Sequence, residues 1–255
     1  MRIHHIPGYI QTIYLVEYNH GLVLLDGCCR CDVNLVVDYI DSNLKRPLND
    51  LKLVISTHAH PDHAGGLSAF KKLGIRVAGP VGLNDWYSGV SGFATYWVDI
   101  LLTYLVAVNK KKPLKNIIFP RETKLDLILR DGDTLDEFTD WKVLECPGHT
   151  FSDITLYNQE QSLAYVADNF VGNNKRVFRP YPIIAPQKYQ SSLSRYIDLG
   201  VERFLLAHHG EVQISKERIL ELIESTPETS RRHMNTLPAI FTKLLRAFIR
   251  KKKKS

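Results

Sequence analysis

The sequence lacks the features that would mark a secreted or disulfide-rich protein. It contains four cysteines, and three of them stand almost side by side at Cys28, Cys29 and Cys31. They are too few and too close together to form a disulfide framework. The N-terminal stretch MRIHHIPGYI also lacks the charged segment, apolar segment and small-residue cleavage site of a signal peptide. We therefore expect a cytoplasmic protein with reduced thiols.

Long uninterrupted apolar runs are lacking too. The most apolar stretch lies within residues 83–112, where the run from Tyr96 to Val108 is broken only by Asp99 and Thr103. A helix needs about 20 apolar residues to span a bilayer, so this run is too short for a transmembrane segment. We predict that residues 83–112 form an insert, which is either a buried helix or a lid over a hydrophobic pocket.

Evenly spread positive charge, which a nucleic-acid-binding surface would need, is also absent. The net charge is +6, but residues 250–254 supply five of the positive charges, so the rest of the chain is close to neutral. A nucleic-acid-binding surface would distribute its lysines and arginines over a groove or patch. We therefore expect no nucleic-acid partner.

The positive charges at the end of the chain belong to a segment with its own pattern. Apolar residues between Leu237 and Ile249 follow helical spacing, and the basic residues among them fall on the other faces. The pattern predicts a basic amphipathic helix and a lysine tail over residues 229–255, after a main domain of residues 1–228. Such a helix either binds an anionic membrane surface, which would make the protein peripheral, or docks on the main domain.

The remaining sequence is typical of an α/β protein. The chain has 255 residues, of which 44% are hydrophobic and 24% charged, and is long enough to bury a core in one domain. The predicted elements are a strand hairpin at 9–27, a helix at 31–44, a strand at 51–57, a helix at 65–74, strands at 141–148, 153–158 and 162–168, a helix at 189–200, a strand at 201–210 and a helix at 215–225. This alternation predicts a layered α/β sandwich.

Three histidines and an aspartate, in the stretch HAHPDH, directly follow one of these predicted strands. Because successive residues of an extended chain point to opposite sides, His58 and His60 lie on the same side. Pro61 favours a turn that brings Asp62 and His63 back toward them. Imidazole and carboxylate groups suit zinc or iron, and four of them converging exceed the needs of one tetrahedral ion. The stretch therefore predicts a metal site and indicates two ions.

Further potential ligands stand at the ends of predicted strands downstream. They are His149, Asp168 and the adjacent pair His208 and His209. Sites in open α/β sheets gather beyond the carboxyl ends of the strands, so these side chains are expected to converge on one edge. Together with HAHPDH they make a complete set of metal ligands.

These motifs resemble those of the metallo-β-lactamase superfamily of hydrolases, over nearly the whole chain from Asp26 to about Gly210. THAHPDH matches the HxHxDH signature of that family, while LLDG, PGHT, VAD and HHG resemble its first, third, fourth and fifth motifs. The resemblance implies a four-layer αβ/βα sandwich and a hydrolytic chemistry. It also implies that His58, His60 and His149 hold a first metal ion.

The same resemblance implies a second metal ion, held by Asp62, His63 and His209, with Asp168 bridging both ions. His209 directly precedes the glycine of the HHG motif, and His208 is the alternative ligand. We therefore expect two zinc ions per chain, with iron or manganese as other possible metals.

The chemistry of such a centre predicts the reaction type. Two cations about 3.5 to 4 Å apart lower the pKa of a shared water to near neutrality and polarise the bond to be attacked. The prediction is a hydrolase in which a dizinc-bound hydroxide cleaves an ester, a thioester or a lactone. Asp62 is the expected catalytic residue, because a carboxylate beside the hydroxide orients it and takes or relays its proton. Asp26 is expected to hold a ligand or the site loop by a hydrogen bond.

The substrate is expected to be a small molecule that is hydrophobic or anionic. The apolar insert suits an acyl or lipid-derived group, and Lys175, Arg176 and Arg179 suit an anionic head group. Both segments also have a purely structural interpretation, as core packing and as a solvated loop. Two other functions stay open, which are mononuclear iron chemistry like that of persulfide dioxygenases and a metal-binding module without turnover.

Overall fold

In a computed structural model of the chain, two six-stranded β-sheets pack face to face, and helices cover both outer faces. The structure describes residues 1–173 and 176–230. The basic helix and lysine tail predicted for residues 229–255 therefore lie outside the described residues, except for the first two positions.

The first sheet begins with an antiparallel meander and continues with parallel strands. Its strands, in spatial order, are β1 (Arg2–Pro7), β2 (Thr12–Tyr18), β3 (Gly21–Leu24), β4 (Leu51–Ile55), β5 (Arg76–Pro80) and β6 (Leu127–Leu129). Parallel neighbours need crossover connections, and these contain α1 (Val33–Ser42), α2 (Pro61–Ala64), α3 (Leu67–Lys72) and α4 (Gly89–Asn109). Short 3₁₀ helices occupy Arg30–Asp32, Leu48–Asp50 and Leu83–Tyr87.

The second sheet is antiparallel except where β10 and β13 run parallel. Its strands, in spatial order, are β14 (Gly210–Gln213), β13 (Arg203–Leu206), β10 (Leu163–Ala167), β9 (Ile154–Asn158), β8 (Phe138–Glu145) and β7 (Thr134–Leu135). A separate hairpin is formed by β11 (Val171–Asn173) and β12 (Arg176–Phe178). The helices α5 (Pro186–Asp198) and α6 (Lys216–Glu224) complete this half.

The alternation of side chains along the strands creates the layers. Along β3, Val23 packs between the two sheets, whereas Leu22 and Leu24 pack in the layer that contains α1, α3 and α4. Along β10, Tyr165 packs between the sheets and Ala164 packs in the layer of α5 and α6. Strands that are covered on both faces are apolar along their whole length, and β3 and β10 follow this rule. The predicted four-layer αβ/βα sandwich is confirmed.

The insert forms a longer helix than its apolar run indicated. α4 has 21 residues, and its most apolar window has a mean hydropathy of 1.4. The argument that the insert is too short to cross a membrane is therefore wrong, since length and apolar composition alone meet that criterion. The helix nevertheless packs on the protein, with 33% of that window buried. Residues such as Tyr96 and Asp99 on its inner side are buried, which agrees with the predicted buried helix or lid.

Candidate metal centre

The HAHPDH stretch leaves β4 in a tight, buried turn. β4 ends at Ile55, and the Ser56 hydroxyl donates a hydrogen bond to the carbonyl of His58 at 2.7 Å. Pro61 occupies the first position of α2. Proline suits this position because a backbone N–H there would have no acceptor within the helix. Because the turn folds back at once, every side chain of the stretch is directed into the protein, and all six are buried.

Three imidazoles and one carboxylate form a first group of potential ligands: His58, His60, His149 and Asp168. The Nδ1 atom of His60 lies 3.0 Å from Nε2 of His58 and 3.1 Å from Nε2 of His149. Ligand nitrogens on one tetrahedral zinc ion, at about 2.0–2.1 Å each, are separated by about 3.3 Å. The three ring nitrogens are therefore close to the spacing that a single ion requires.

A second group contains Asp62, His63 and His208. The Oδ2 atom of Asp62 lies 3.5 Å from Nε2 of His63 and 3.3 Å from Nε2 of His208. The prediction that His209 completes this group disagrees with the structure, which brings His208 there instead. β13 ends at Leu206, so strand alternation no longer decides which of the next residues is directed to the site.

Asp168 lies between the two groups. Its Oδ2 atom is 3.6 Å from Nε2 of His149 and 3.5 Å from Nε2 of His63. Its Oδ1 atom is 3.3 Å from Nε2 of His208. One carboxylate thus contacts imidazoles of both groups, which is the position of a ligand shared by two ions.

Two backbone carbonyls fix the rings of His149 and His208. Nδ1 of His149 lies 2.9 Å from the carbonyl oxygen of Pro182, and Nδ1 of His208 lies 3.2 Å from that of Ile10. A carbonyl only accepts, so Nδ1 carries a proton in each ring, and Nε2 is the nitrogen directed toward the centre as the ligand atom. The Ile10 carbonyl also accepts a hydrogen bond from Lys110 at the end of α4.

Asp26, which follows the first-sheet strand β3, holds His63 in the same way. Its Oδ2 atom lies 2.5 Å from Nδ1 of His63 and also accepts hydrogen bonds from the hydroxyls of Thr57 and Tyr165, each at 2.8 Å. Its Oδ1 atom accepts from the backbone N–H of Thr57 at 2.9 Å. This buried carboxylate therefore fixes both a ring and the start of the HAHPDH turn, as the sequence predicted.

The insert contributes a carboxylate that the sequence did not identify as part of the site. The Oδ2 atom of Asp99, on α4, lies 3.7 Å from Nε2 of His60 and accepts hydrogen bonds from Trp86 and Tyr87, each at 3.1 Å. Asp99 is the one acidic residue within the apolar run, and this isolation was the available signal. At 3.7 Å this carboxylate is beyond hydrogen-bond distance of the ring, so it acts on His60 through its negative charge.

The charges of the centre suit a cation. Burial and the neighbouring imidazoles hold the pKa of His58 well below its ordinary value, so the ring is a neutral donor. Burial also opposes a charge on His63, but the carboxylates of Asp26, Asp62 and Asp168 outweigh it and raise the pKa of His63 well above its ordinary value. The carboxylates that favour a proton on His63 would equally favour a metal cation in its place.

Two buried atoms test the fit of a metal directly. Neither Nε2 of His63 nor Oδ1 of Asp168 has a hydrogen-bond partner among the described residues. Buried polar atoms in proteins are almost always satisfied, and these two belong to the proposed ligand atoms. The donor set and the two unsatisfied atoms therefore fit bound metal ions.

A third group of potential ligands lies elsewhere in the same half and comprises Cys29, Cys31 and Asp32. A hydrogen bond with Cys31 and burial raise the pKa of Cys29 well above its ordinary value, so it stays a thiol. Asp32 accepts a hydrogen bond from the backbone N–H of Tyr9 at 2.9 Å. We interpret this group as the structural support of the loop before β2.

The insert lines the space around the centre. A cavity of about 120 Å³ lies over the ligands and is lined by Leu102 and Val106 of α4. A larger cavity of about 590 Å³ is lined by Trp86, Phe151 and other residues of the insert and the second sheet. The Trp86 ring meets the His60 ring edge to face at 5.7 Å, so one residue that lines the larger cavity also contacts a ligand.

Comparisons with known proteins agree with this geometry. The family model described as metallo-β-lactamase superfamily matches residues 6–209. A metallo-β-lactamase family protein from Thermus thermophilus has a similar structure, with a TM-score of 0.66 and 20% identity, over 87% of this chain and 78% of that one. At this identity the likeness shows the fold.

Two curated relatives are similar in sequence. A probable metallo-hydrolase of Bacillus subtilis (strain 168) is 28% identical over an alignment of 193 residues that covers 68% of this chain and 59% of that protein. A hydroxyacylglutathione hydrolase of Ectopseudomonas mendocina (strain ymp) is 28% identical over an alignment of 184 residues that covers 70% of this chain and 55% of that protein. The chain thus spans less than two thirds of the length of either relative.

Proposed function

The chain belongs to the metallo-β-lactamase superfamily, and we propose that it is a metal-dependent hydrolase of an ester, a thioester or a lactone. The observation that carries the proposal is the position of Asp168, within 3.6 Å of imidazoles from both ligand groups. Two adjacent sites that share a carboxylate are the arrangement of two-metal hydrolytic centres.

The proposed metals are two zinc ions per chain, with iron or manganese as alternatives that accept the same imidazole and carboxylate donors. The residues proposed to hold them are His58, His60 and His149 for the first, Asp62, His63 and His208 for the second, and Asp168 for both. When bound, such ions acidify a shared water and polarise the scissile carbonyl.

Asp62 has a second proposed role, in proton transfer. Its carboxylate is buried, and it lines the cavity over the ligands, where a water and the substrate would meet. A carboxylate at that place accepts the proton of the attacking water and passes it to the leaving group. The chain thus supplies its own base, whose Oδ2 atom lies 3.5 Å from Nε2 of His63 and 3.3 Å from Nε2 of His208.

The surroundings of the centre support a substrate with an apolar part and an anionic part. The cavity beside Trp86 suits an acyl group, because binding clefts are mostly apolar with a few polar groups. Arg176 and Arg179 line a further cavity of about 540 Å³, and Tyr181 lines both it and the space over the ligands. Lys175 lies outside the described residues. The relative named hydroxyacylglutathione hydrolase favours a thioester among the three bonds.

We further propose a cytoplasmic location and peripheral attachment to anionic membranes through residues 229–255. The support is the sequence alone, namely the helical spacing of the apolar residues and the five positive charges at 250–254. Deletion of residues 237–255 removes most of this segment, so the shortened variant reports the contribution of the segment to membrane binding.

Removal of metal tests the hydrolase proposal. Dialysis against a chelator is expected to abolish hydrolysis of a panel of soluble esters, thioesters and lactones, and zinc or manganese is expected to restore it, because the attacking water needs the ions. Rates are measured before removal, after removal and after each metal is added back. Unchanged hydrolysis by fully metal-free protein contradicts the proposal. Turnover that needs iron and oxygen would instead support the dioxygenase alternative.

A further inference from the structure

The outer face of α4 carries a stripe of exposed apolar side chains. Val90, Phe93, Trp97, Leu101 and Val108 are respectively 89%, 50%, 45%, 41% and 55% exposed. Their spacing of three, four, four and seven residues places them on one side of an α-helix. Single exposed apolar residues are ordinary, but a contiguous patch of this kind marks an interaction surface.

The charge around this stripe is positive. The one acidic residue of α4 is Asp99, which is buried on the opposite side. Immediately after the helix, Lys111, Lys112 and Lys115 are all exposed. An apolar stripe with aromatic residues that ends in a lysine cluster is typical of helices that lie on anionic lipid surfaces.

The inner face of α4 fixes the orientation of the helix. The Tyr96 hydroxyl donates a hydrogen bond to the carbonyl of Phe119 at 2.8 Å, and Trp86 donates to Asp99 at 3.1 Å. A helix bound to its own domain along one side offers only the other side to a partner. α4 therefore lies along a surface rather than crossing it.

We propose that the outer face of α4 binds the surface of an anionic lipid membrane. Phe93, Trp97 and Leu101 enter the boundary between head groups and acyl chains, and the lysines after the helix meet the head groups. A second copy of the chain suits this face less well, because α4 has no exposed acidic group for those lysines. The basic C-terminal segment would likewise bring positive charge toward positive charge.

The membrane-facing stripe and the cavity over the ligands lie on different sides of the same helix. At about 100° per residue, Leu102 and Val106, which line that cavity, lie on the side of α4 away from the stripe. The inference does not depend on the hydrolase proposal, because membrane binding and hydrolysis are measured separately.

Quenching by brominated lipid tests the contact. The full-length protein is mixed with phosphatidylcholine and phosphatidylserine vesicles whose acyl chains carry bromine, which quenches tryptophan at close range. Trp97 is 45% exposed on the stripe, whereas Trp141 is fully buried and Trp86 is half-buried beside the ligands. We expect quenching of the native protein and its loss in Trp97→Phe, which still sediments with the vesicles because phenylalanine is also apolar.

A matched pair of charge substitutions gives the control. Leu101 and Leu220 are exposed leucines on helices, at 41% and 42% respectively. Leu101→Glu is expected to weaken vesicle binding about tenfold, and Leu220→Glu, on α6, to leave it unchanged. Both variants are expected to hydrolyse soluble substrates normally. Vesicle binding without quenching, as attachment by the C-terminal segment alone would give, overturns the inference. So does a native dimer that Leu101→Glu converts to a monomer.

Discussion

Asp62→Asn is expected to lower the rate of ester or thioester hydrolysis by about 10²–10⁴-fold while part of the bound metal remains. Asparagine keeps the size of the side chain and one ligand oxygen, but it cannot accept a proton from the attacking water. His63, His208 and Asp168 stay in place to hold a metal. The measurement is kcat/KM on the best substrate of the panel, together with metal content of the same sample.

Asp126→Asn is the control for this substitution. The Asp126 carboxylate is part of an exposed pair with Lys71 and is far from the ligands in sequence. Its loss is expected to leave both rate and metal content unchanged, since exposed ion pairs contribute little. Equal activity of Asp62→Asn and the native protein would contradict the role of Asp62 as base.

Gly148→Ala is expected to lower the free energy of unfolding by about 3–5 kcal/mol and to displace His149. Gly148 has a φ of +151°, and a Cβ there would lie 2.4 Å from Cβ and 2.5 Å from Cα of Tyr189. The Gly148 carbonyl accepts hydrogen bonds from the N–H groups of Ile184, at 2.8 Å, and Ala185, at 3.2 Å. Neither side of the contact can therefore shift without breaking backbone hydrogen bonds, and the adjacent ligand moves with it.

Gly132→Ala is the control that separates backbone strain from the steric clash expected in Gly148→Ala. Gly132 also has a positive φ, of +86°, but a Cβ there would meet nothing within 4 Å. Its replacement is expected to cost only the conformational strain, about 1–2 kcal/mol, with normal metal content. Urea unfolding and elemental analysis of both variants give the comparison. Equal, small losses of stability for the two would contradict the account of the His149 loop.

The sequence could predict most of the centre because its ligands follow strands. The predicted ligands come just after three strands. The HAHPDH stretch follows β4, His149 follows β8 and Asp168 follows β10. A strand can be inferred from a few apolar residues, and topology then brings the strand ends to one edge. For this reason the fold class and the convergence of six predicted ligands needed no knowledge of side-chain packing.

Two features of the site could not be predicted because they depend on details of packing. The choice between His208 and His209 depends on where β13 stops and on the hydrogen bond of the His208 ring to Ile10, nearly two hundred positions earlier. The place of Asp99 behind His60 depends on how α4 lies across the first sheet. Neither contact leaves a periodic pattern in the sequence.

The central claim is a two-metal centre whose second site uses His208, and the most direct test is the metal content of the purified full-length protein. Elemental analysis is expected to give two zinc ions per chain for the native protein and one for His208→Ala, because the first group of ligands is intact in that variant. His209→Ala should keep both ions. A single iron per chain, no metal at all, or loss of an ion from His209→Ala rather than from His208→Ala would contradict the account.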